Sequence, residues 1–233
     1  MSRTDAKAAA ILLAAGRSRR MGGGDKLFLK LRGRPVLFYS LRVLQRCPEI
    51  GQIVLTCNPE NRSRIERLAR AHRFHKVGPL LPGGAERSDS VAEALEGVRP
   101  EFHWVVIHDG ARPLLTVEMV RKGLETARRH GTAVIAKPMS DTVKRATSEG
   151  KVLETPDRRE LYAVQTPQIF RRSDIRSAYA KVRSRRLAVT DDAAAMEADG
   201  KPVYLYEWAG YNLKVTRPED LPVISALLNG RSK

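Results

Sequence analysis

Short apolar runs alternate with stretches of helical periodicity along almost the whole chain, and this alternation restricts the fold more than any other feature of the sequence. Residues 9–14, 52–57, 104–108, 133–136, 161–170, 203–208 and 213–216 read as strands, and helical patterns lie between them at 35–46, 60–73, 88–97, 116–129, 173–182 and 190–199. In the first helix Leu37, Leu41 and Leu44 share one face, and in the fourth Val117, Val120 and Leu124 do so before Gly131 closes it. In the second, Ile65, Leu68 and Ala69 point inward. Strands separated by helices of this length pair in parallel and are covered on both faces. The pattern therefore predicts a three-layer α/β/α sandwich with a mostly parallel, Rossmann-like sheet. Pro218, followed by Glu219 and Asp220, opens a terminal helix. A chain of 233 residues suffices for one domain with a closed core, and residues 1–233 are read as one.

The pattern breaks at about 138–161. Residues 139–144 and 151–155 are short and polar and flank Glu149-Gly150, which reads as a hairpin projecting from the sheet. A long exposed hairpin calls for cover, and a second copy of the chain is the expected source.

Lys and Arg number 42 against 26 Asp and Glu, a net charge of +16, so a polyanionic partner has to be weighed. The excess is spread over helices such as 60–73 and 116–131, where Arg alternates with Glu on solvated faces. Aromatic residues make up only 6%, too few for a base-stacking platform, and no nucleic-acid-binding motif accompanies the charge, which argues against specific nucleic-acid recognition. No run approaches the length needed to cross a bilayer. The two cysteines, Cys47 and Cys57, have neither metal spacing nor disulfide density, which predicts small buried residues in a reducing cytoplasm.

The first strand runs into a basic glycine loop, residues 13–30, that holds Gly16, Arg20, Gly22, Gly23, Gly24 and Lys26. Glycines let backbone N–H groups approach phosphate oxygens, and Arg20 and Lys26 can offset a triphosphate's charge. No Gly-Lys-Ser/Thr closes the loop as in a P-loop, and Ser18 stands where the dinucleotide fingerprint needs its second glycine. Three successive glycines before Asp25 predict a lid that moves when nucleotide is absent.

Leu13-Ala14-Ala15-Gly16, Arg20-Met21 and Lys26 together resemble the opening of sugar-nucleotide pyrophosphorylases and cytidylyltransferases. Six more strings follow in order: the run from Gly83 to Val91, His108-Asp109-Gly110-Ala111-Arg112-Pro113, Asp141-Thr142-Val143-Lys144, Gln165-Thr166-Pro167-Gln168-Ile169-Phe170, Thr190-Asp191-Asp192, and Asn212-Leu213-Lys214-Val215-Thr216. In this order and spacing they resemble the 2-C-methyl-D-erythritol 4-phosphate cytidylyltransferase family of the non-mevalonate isoprenoid pathway, over essentially residues 8–228.

The resemblance implies CTP as co-substrate, Mg²⁺ as cofactor and a homodimer formed through the arm. It implies that Arg20, Lys26 and Lys214 stabilise charge on the reacting phosphates, and that Asp109 helps to hold the metal. Ala14, Ala15, Gly16, Gly84, Arg87, Ser90, Asp109 and Gly110 would contact the nucleotide. Arg112, Thr142, Arg158, Thr190 and Lys214 would contact the acceptor, with Thr142 and Arg158 lent by the partner's arm. Arg158 is followed by Arg159, so the register there can slip by one. Ala85 stands where relatives often carry an acid, leaving only a backbone contact. Within the same chemistry the rival is a ribitol-5-phosphate cytidylyltransferase, whose opening usually reads Ala-Gly-Gly where this chain has Ala14-Ala15-Gly16. From another class it is a basic nucleic-acid-binding protein.

Overall fold

A computed structural model describes residues 7–16 and 25–230. Arg20 and the three glycines on which the predicted lid rests, Gly22, Gly23 and Gly24, lie outside the described residues.

In chain order, β1 (Ala8–Leu13) leads through the two-residue strands β2 (Lys30–Leu31) and β3 (Arg34–Pro35) to α1 (Val36–Arg46) and β4 (Ile50–Cys57). Then come α2 (Arg62–Ala71), β5 (Val77–Pro82), α3 (Arg87–Glu96), β6 (Trp104–Asp109), α4 (Val117–His130) and β7 (Thr132–Pro138). A hairpin of β8 (Arg145–Ala146) and β9 (Val152–Glu154) precedes β10 (Tyr162–Arg171). The chain continues through α5 (Arg172–Arg185), α6 (Asp192–Ala198), β11 (Leu205–Glu207) and α7 (Asp220–Asn229).

Seven strands form one sheet in the order β11-β7-β10-β6-β1-β4-β5. All pairings are parallel except those of β10, which runs antiparallel to β6 and β7. In the interior strand β1, Ala8, Ala10 and Leu12 join the cluster beneath α1, α2, α4 and α7, while Ala9 and Ile11 join the cluster beneath α3, α5 and α6. A strand buried on both faces reads as a continuous apolar run, which is why β1 stands out in the sequence. Strand β5 does not. Gly78, Pro79 and Pro82 interrupt it, and it survives because it is an edge strand bonded only to β4, where a missing N–H costs no second ladder.

The helix signals act locally as expected. Thr116 Oγ1 accepts from Met119 N at 3.1 Å at the start of α4, and Gly131, at φ 87°, ends it behind Arg128, Arg129 and His130, whose position suits the negative end of the helix dipole.

Two sequence expectations are corrected. Residues 139–144 are not a strand: the hairpin starts at Arg145, which pairs with Glu154, and turns through Gly150 at φ 87°. Residues 213–216 are not a strand either. Val215 N bonds to Ala111 O at 2.8 Å, so the segment is tied to the loop after β6 rather than to a neighbouring strand.

Because β1, β4, β5 and β6 are parallel and in register, their carboxyl ends, Leu13, Cys57, Pro82 and Asp109, gather along one edge. After β5 the chain crosses to the other side of β1 to form β6. A reversal of this kind opens a crevice at the carboxyl ends, where open α/β sheets bind ligands.

Candidate active site

A cavity of about 840 Å³ occupies that crevice. Ala15, Gly16 and Lys26 line it from the two described ends of the basic loop, Gly84, Arg87 and Ser90 from the β5–α3 turn, and Asp109 and Lys214 from the floor. These are eight of the residues singled out from the sequence.

Glycine shapes the β5–α3 turn. A Cβ on Gly83 would overlap Ala15 Cβ and come within 3.2 Å of Ser90 Oγ, and one on Gly84 would overlap Asp89 Cβ. Gly84 N donates to Ser90 Oγ at 3.0 Å, and that hydroxyl donates to Glu86 O at 3.2 Å. Glu86 and Asp89 form a capping box at the start of α3, which fixes the direction in which Arg87 leaves the helix. Ser90 therefore braces the turn as well as facing the cavity.

Asp109 ends β6 and is 7% exposed. Its Oδ2 accepts from Lys214 Nζ at 2.8 Å and from Arg112 Nε at 3.4 Å, and its Oδ1 accepts from Arg87 Nε at 3.5 Å. The lysine contact is the strong hydrogen bond, and the guanidinium contacts, near the distance limit, act mainly through charge. Burial alone would raise the carboxyl's pKa. The charges of Lys214, Arg87 and Arg112 outweigh it and hold Asp109 well below the usual carboxylate range, so it is ionised.

A neutral histidine stands behind it. His108 is fully buried, and burial pushes its pKa down to about 4. Arg112 O lies 3.2 Å from Nε2 and can only accept, so Nε2 carries the proton. Nδ1 then accepts from Thr166 Oγ1 at 3.1 Å, and Thr166 Oγ1 accepts from Asp109 N at 3.1 Å. Asn212 Nδ2 closes the bracket on Thr166 O at 2.8 Å.

Arg87 is held from its other side by an acid that the sequence shows only as part of Thr190-Asp191-Asp192, at the start of the helix read at 190–199. Asp192, fully buried, takes Arg87 Nη1 at 3.0 Å and Nη2 at 2.8 Å, and also accepts from Tyr179 Oη at 2.5 Å. Its neighbour Asp191 does the capping, accepting from Ala194 N at 2.9 Å. Two adjacent acids thus have different tasks, which a helix-dipole argument cannot separate.

The other sequence-derived residues lie elsewhere. Ala14 is buried behind the cavity, its N–H donating to Thr56 O at 3.2 Å. Gly110 N donates to Leu13 O at 2.9 Å, and a Cβ there would come within 2.8 Å of that same oxygen. Arg112 sits beneath the cavity, donating to Asn212 O at 2.8 Å as well as meeting Asp109. Thr142, Arg158 and Thr190 are exposed and do not line this chain's cavity. Arg158 Nη1 donates to Ser140 O at 2.8 Å, whereas Arg159 is bonded to Asp157.

A parallel sheet with a glycine-bordered crevice, one ionised carboxylate among cations and a basic loop off its first strand describes a nucleotidyltransferase. The family described as IspD, 2-C-methyl-D-erythritol 4-phosphate cytidylyltransferase, matches residues 8–230. Over 222 residues the chain is 44% identical to the protein of that name from Dehalococcoides mccartyi, covering 95% of this chain and 96% of that one. It is 42% identical over 223 residues to the one from Geobacillus kaustophilus, covering 95% and 97%. The crystal structure of 4-diphosphocytidyl-2C-methyl-D-erythritol synthase from Anaerococcus prevotii superposes with a TM-score of 0.86 at 29% identity, covering 97% of this chain and all of that one. The chain belongs to the 2-C-methyl-D-erythritol 4-phosphate cytidylyltransferase family.

Proposed function

We propose that this chain transfers CMP from CTP to 2-C-methyl-D-erythritol 4-phosphate, forming 4-diphosphocytidyl-2-C-methyl-D-erythritol and pyrophosphate. The observation that carries the reading is the meeting of Lys26, Lys214, Arg87 and Asp109 in the crevice bordered by Gly83 and Gly84, in a chain of this family. An oxygen of the acceptor's phosphate attacks the α-phosphorus, and the bond from that phosphorus to the bridging oxygen of pyrophosphate breaks. The nucleophile is already an anion, so the step needs positive charge and alignment rather than a base. Among the described residues three cations surround Asp109, and of these only Arg87 meets a second carboxylate, which leaves the floor electropositive toward a triphosphate.

In this reading Lys26, with Arg20, faces the triphosphate, and Lys214 meets the attacking phosphate and the α-phosphate. The backbone of Ala15 and Gly16 cradles phosphate oxygens, with the buried Ala14, whose N–H is taken by Thr56, holding them in place, and Gly84, Arg87 and Ser90 recognise cytosine and ribose. Gly110 keeps the β6 end close to β1, and Arg112 aims Asp109.

The donor set fits a shared divalent cation. Asp109 is ionised and faces the cavity, and among the described residues no group of three or more His, Cys, Asp or Glu could enclose a metal alone. Mg²⁺ on Asp109 would take its remaining oxygens from nucleotide and water, and when bound it neutralises phosphate charge.

Thr142 and Arg158 act in this reading across a homodimer, beside Thr190 of the partner. Support comes from the exposed apolar side chains on and beside the arm, Val152 at 53% and Leu153 at 55%, for which a second copy is the natural cover. The cytoplasm fits buried, unbridged Cys47 and Cys57 and soluble substrates. Among the described residues no helix is long and apolar enough to cross a membrane.

The test is pyrophosphate release by the protein with CTP, Mg²⁺ and either 2-C-methyl-D-erythritol 4-phosphate or ribitol 5-phosphate. Turnover with ribitol 5-phosphate alone overturns the acceptor assignment. Lys214→Ala should lower kcat by about 10²–10³, the usual loss for one donor to a developing charge.

A further inference from the structure

Asn61 stands beside the cavity without lining it, and both ends of its side-chain amide are hydrogen-bonded. It lies between β4 and α2 and is 1% exposed. Its Nδ2 donates to Ala14 O at 2.8 Å and to Asp25 Oδ2 at 3.0 Å, while its Oδ1 accepts from Asn58 N at 3.0 Å. Both amide hydrogens are used. A flipped amide would turn its oxygen toward a carbonyl and a carboxylate, so the orientation follows from the partners. Asn58 returns the support: its Oδ1 accepts from Asn61 N at 2.9 Å, and its Nδ2 reaches Ala15 O at 3.4 Å.

The two acceptors of Asn61 flank the basic loop. Ala14 directly precedes Ala15 and Gly16, which line the cavity. Asp25 immediately precedes Lys26, and its Oδ1 accepts from Leu27 N at 3.0 Å, fixing the single helical turn that carries the lysine. One buried amide thus joins the backbone side of the phosphate site to its cationic side. A two-sided hydrogen bond that includes a carboxylate is stronger and better aimed than a neutral pair.

We infer that Asn61 is a positioning residue that sets the separation between the Ala15–Gly16 backbone and Lys26, and with it the fit of the triphosphate. The inference rests on the reading that Lys26 meets the triphosphate. A misplacement of about 1 Å in such a site can cost about 10²-fold in rate. The clamp touches only the nucleotide side, so its loss should act through CTP and leave the acceptor's KM alone.

The experiment compares steady-state kinetics of the wild type, Asn61→Ala, Asp25→Asn, the double variant and Lys26→Ala, with thermal midpoints recorded alongside. Asp25→Asn can still cap Leu27 through its oxygen but presents an amino group to Asn61, so it breaks the clamp even if Asn61→Ala does not fold. Both single variants should lose about 10- to 100-fold in kcat/KM for CTP, with the acceptor's KM unchanged at saturating CTP. The double variant should be no worse than Asn61→Ala, because one linkage cannot be cut twice. Additive losses, an equal rise in the acceptor's KM, or near-normal CTP kinetics in Asp25→Asn while Lys26→Ala is crippled would overturn the clamp. If Lys26→Ala itself leaves CTP kinetics normal, it is the reading of Lys26 that fails.

Discussion

Changing Asp192 to asparagine removes one charge from a fully buried position and almost no volume. The carboxylate it replaces accepts two bonds from Arg87, at 3.0 and 2.8 Å, and one from Tyr179. An amide there offers one oxygen to three donors and sets its own N–H groups against at least one of them. Breaking a buried pair by removing one partner costs about 3–5 kcal/mol. Arg87 keeps 29% of its side chain in contact with solvent and retains Asp109 at 3.5 Å, so part of its charge can be rehydrated and the lower end, about 3 kcal/mol, applies. For a chain of this size that corresponds to a fall in Tm of roughly 6–12 °C. Urea unfolding at neutral pH gives the free energy directly. Arg176→Ala is the control, because Arg176 and Glu96 are 41% and 61% exposed and such a pair contributes about 0–1 kcal/mol. Activity should fall too, since an Arg87 released from Asp192 can turn toward Asp109 and compete with Lys214. A loss below about 1 kcal/mol in Asp192→Asn, within the range of a surface ion pair, would refute the view that this carboxylate anchors Arg87.

Three further outcomes follow from the same geometry. His108 is held at a pKa of about 4 against an ordinary 6.5, so below about pH 6.5 the unfolded chain takes up a proton that the folded chain resists. Stability should therefore fall as pH drops from 6.5 to 4, by about 3 kcal/mol from this residue; unfolding measured without divalent cation should show a flatter profile in His108→Gln, and an unchanged slope would sink the assignment. Gly83→Ala should place a methyl against Ala15 and weaken CTP binding at least about tenfold, read as the CTP concentration dependence of the thermal shift, whereas full CTP response would mean that the turn yields freely. Mixing equal amounts of Arg158→Ala and Lys214→Ala proteins, each poorly active, should recover about a quarter of wild-type turnover if each site draws on both subunits, because half the dimers are mixed and each has one intact site; no recovery after subunit exchange is shown would assign Arg158 to its own chain or to no site.

What could be read from the sequence divides along a physical line. Strand β1 and helix α4 were legible because their signals are local: an apolar run buried on both sides, and a cap, a stripe and a closing glycine. Strand β5 was not, because its stability comes from one neighbour 24 residues earlier in register, Val77 on Ile53, and its own Gly and Pro residues oppose the assignment. Residues 213–216 alternate like a strand, but the partner that decides their state is the loop after β6. The site follows the same rule. Glycines at strand ends announce a phosphate crevice, and the family resemblance pointed to Lys26, Asp109 and Lys214, which the fold brings to one cavity. The residues that aim them stayed hidden. The strand read at 52–57 stops before Asn58, and Asn61, three residues further on, bonds to Ala14 and Asp25 at separations of 47 and 36 residues. Asp192 bonds to Arg87 across 105 residues. A charge or amide facing the nucleotide has to be of a particular type, so it leaves a motif. Its support need only place a hydrogen-bonding atom at the right point, a requirement many residues could meet from many chain positions, and one that only the folded geometry expresses.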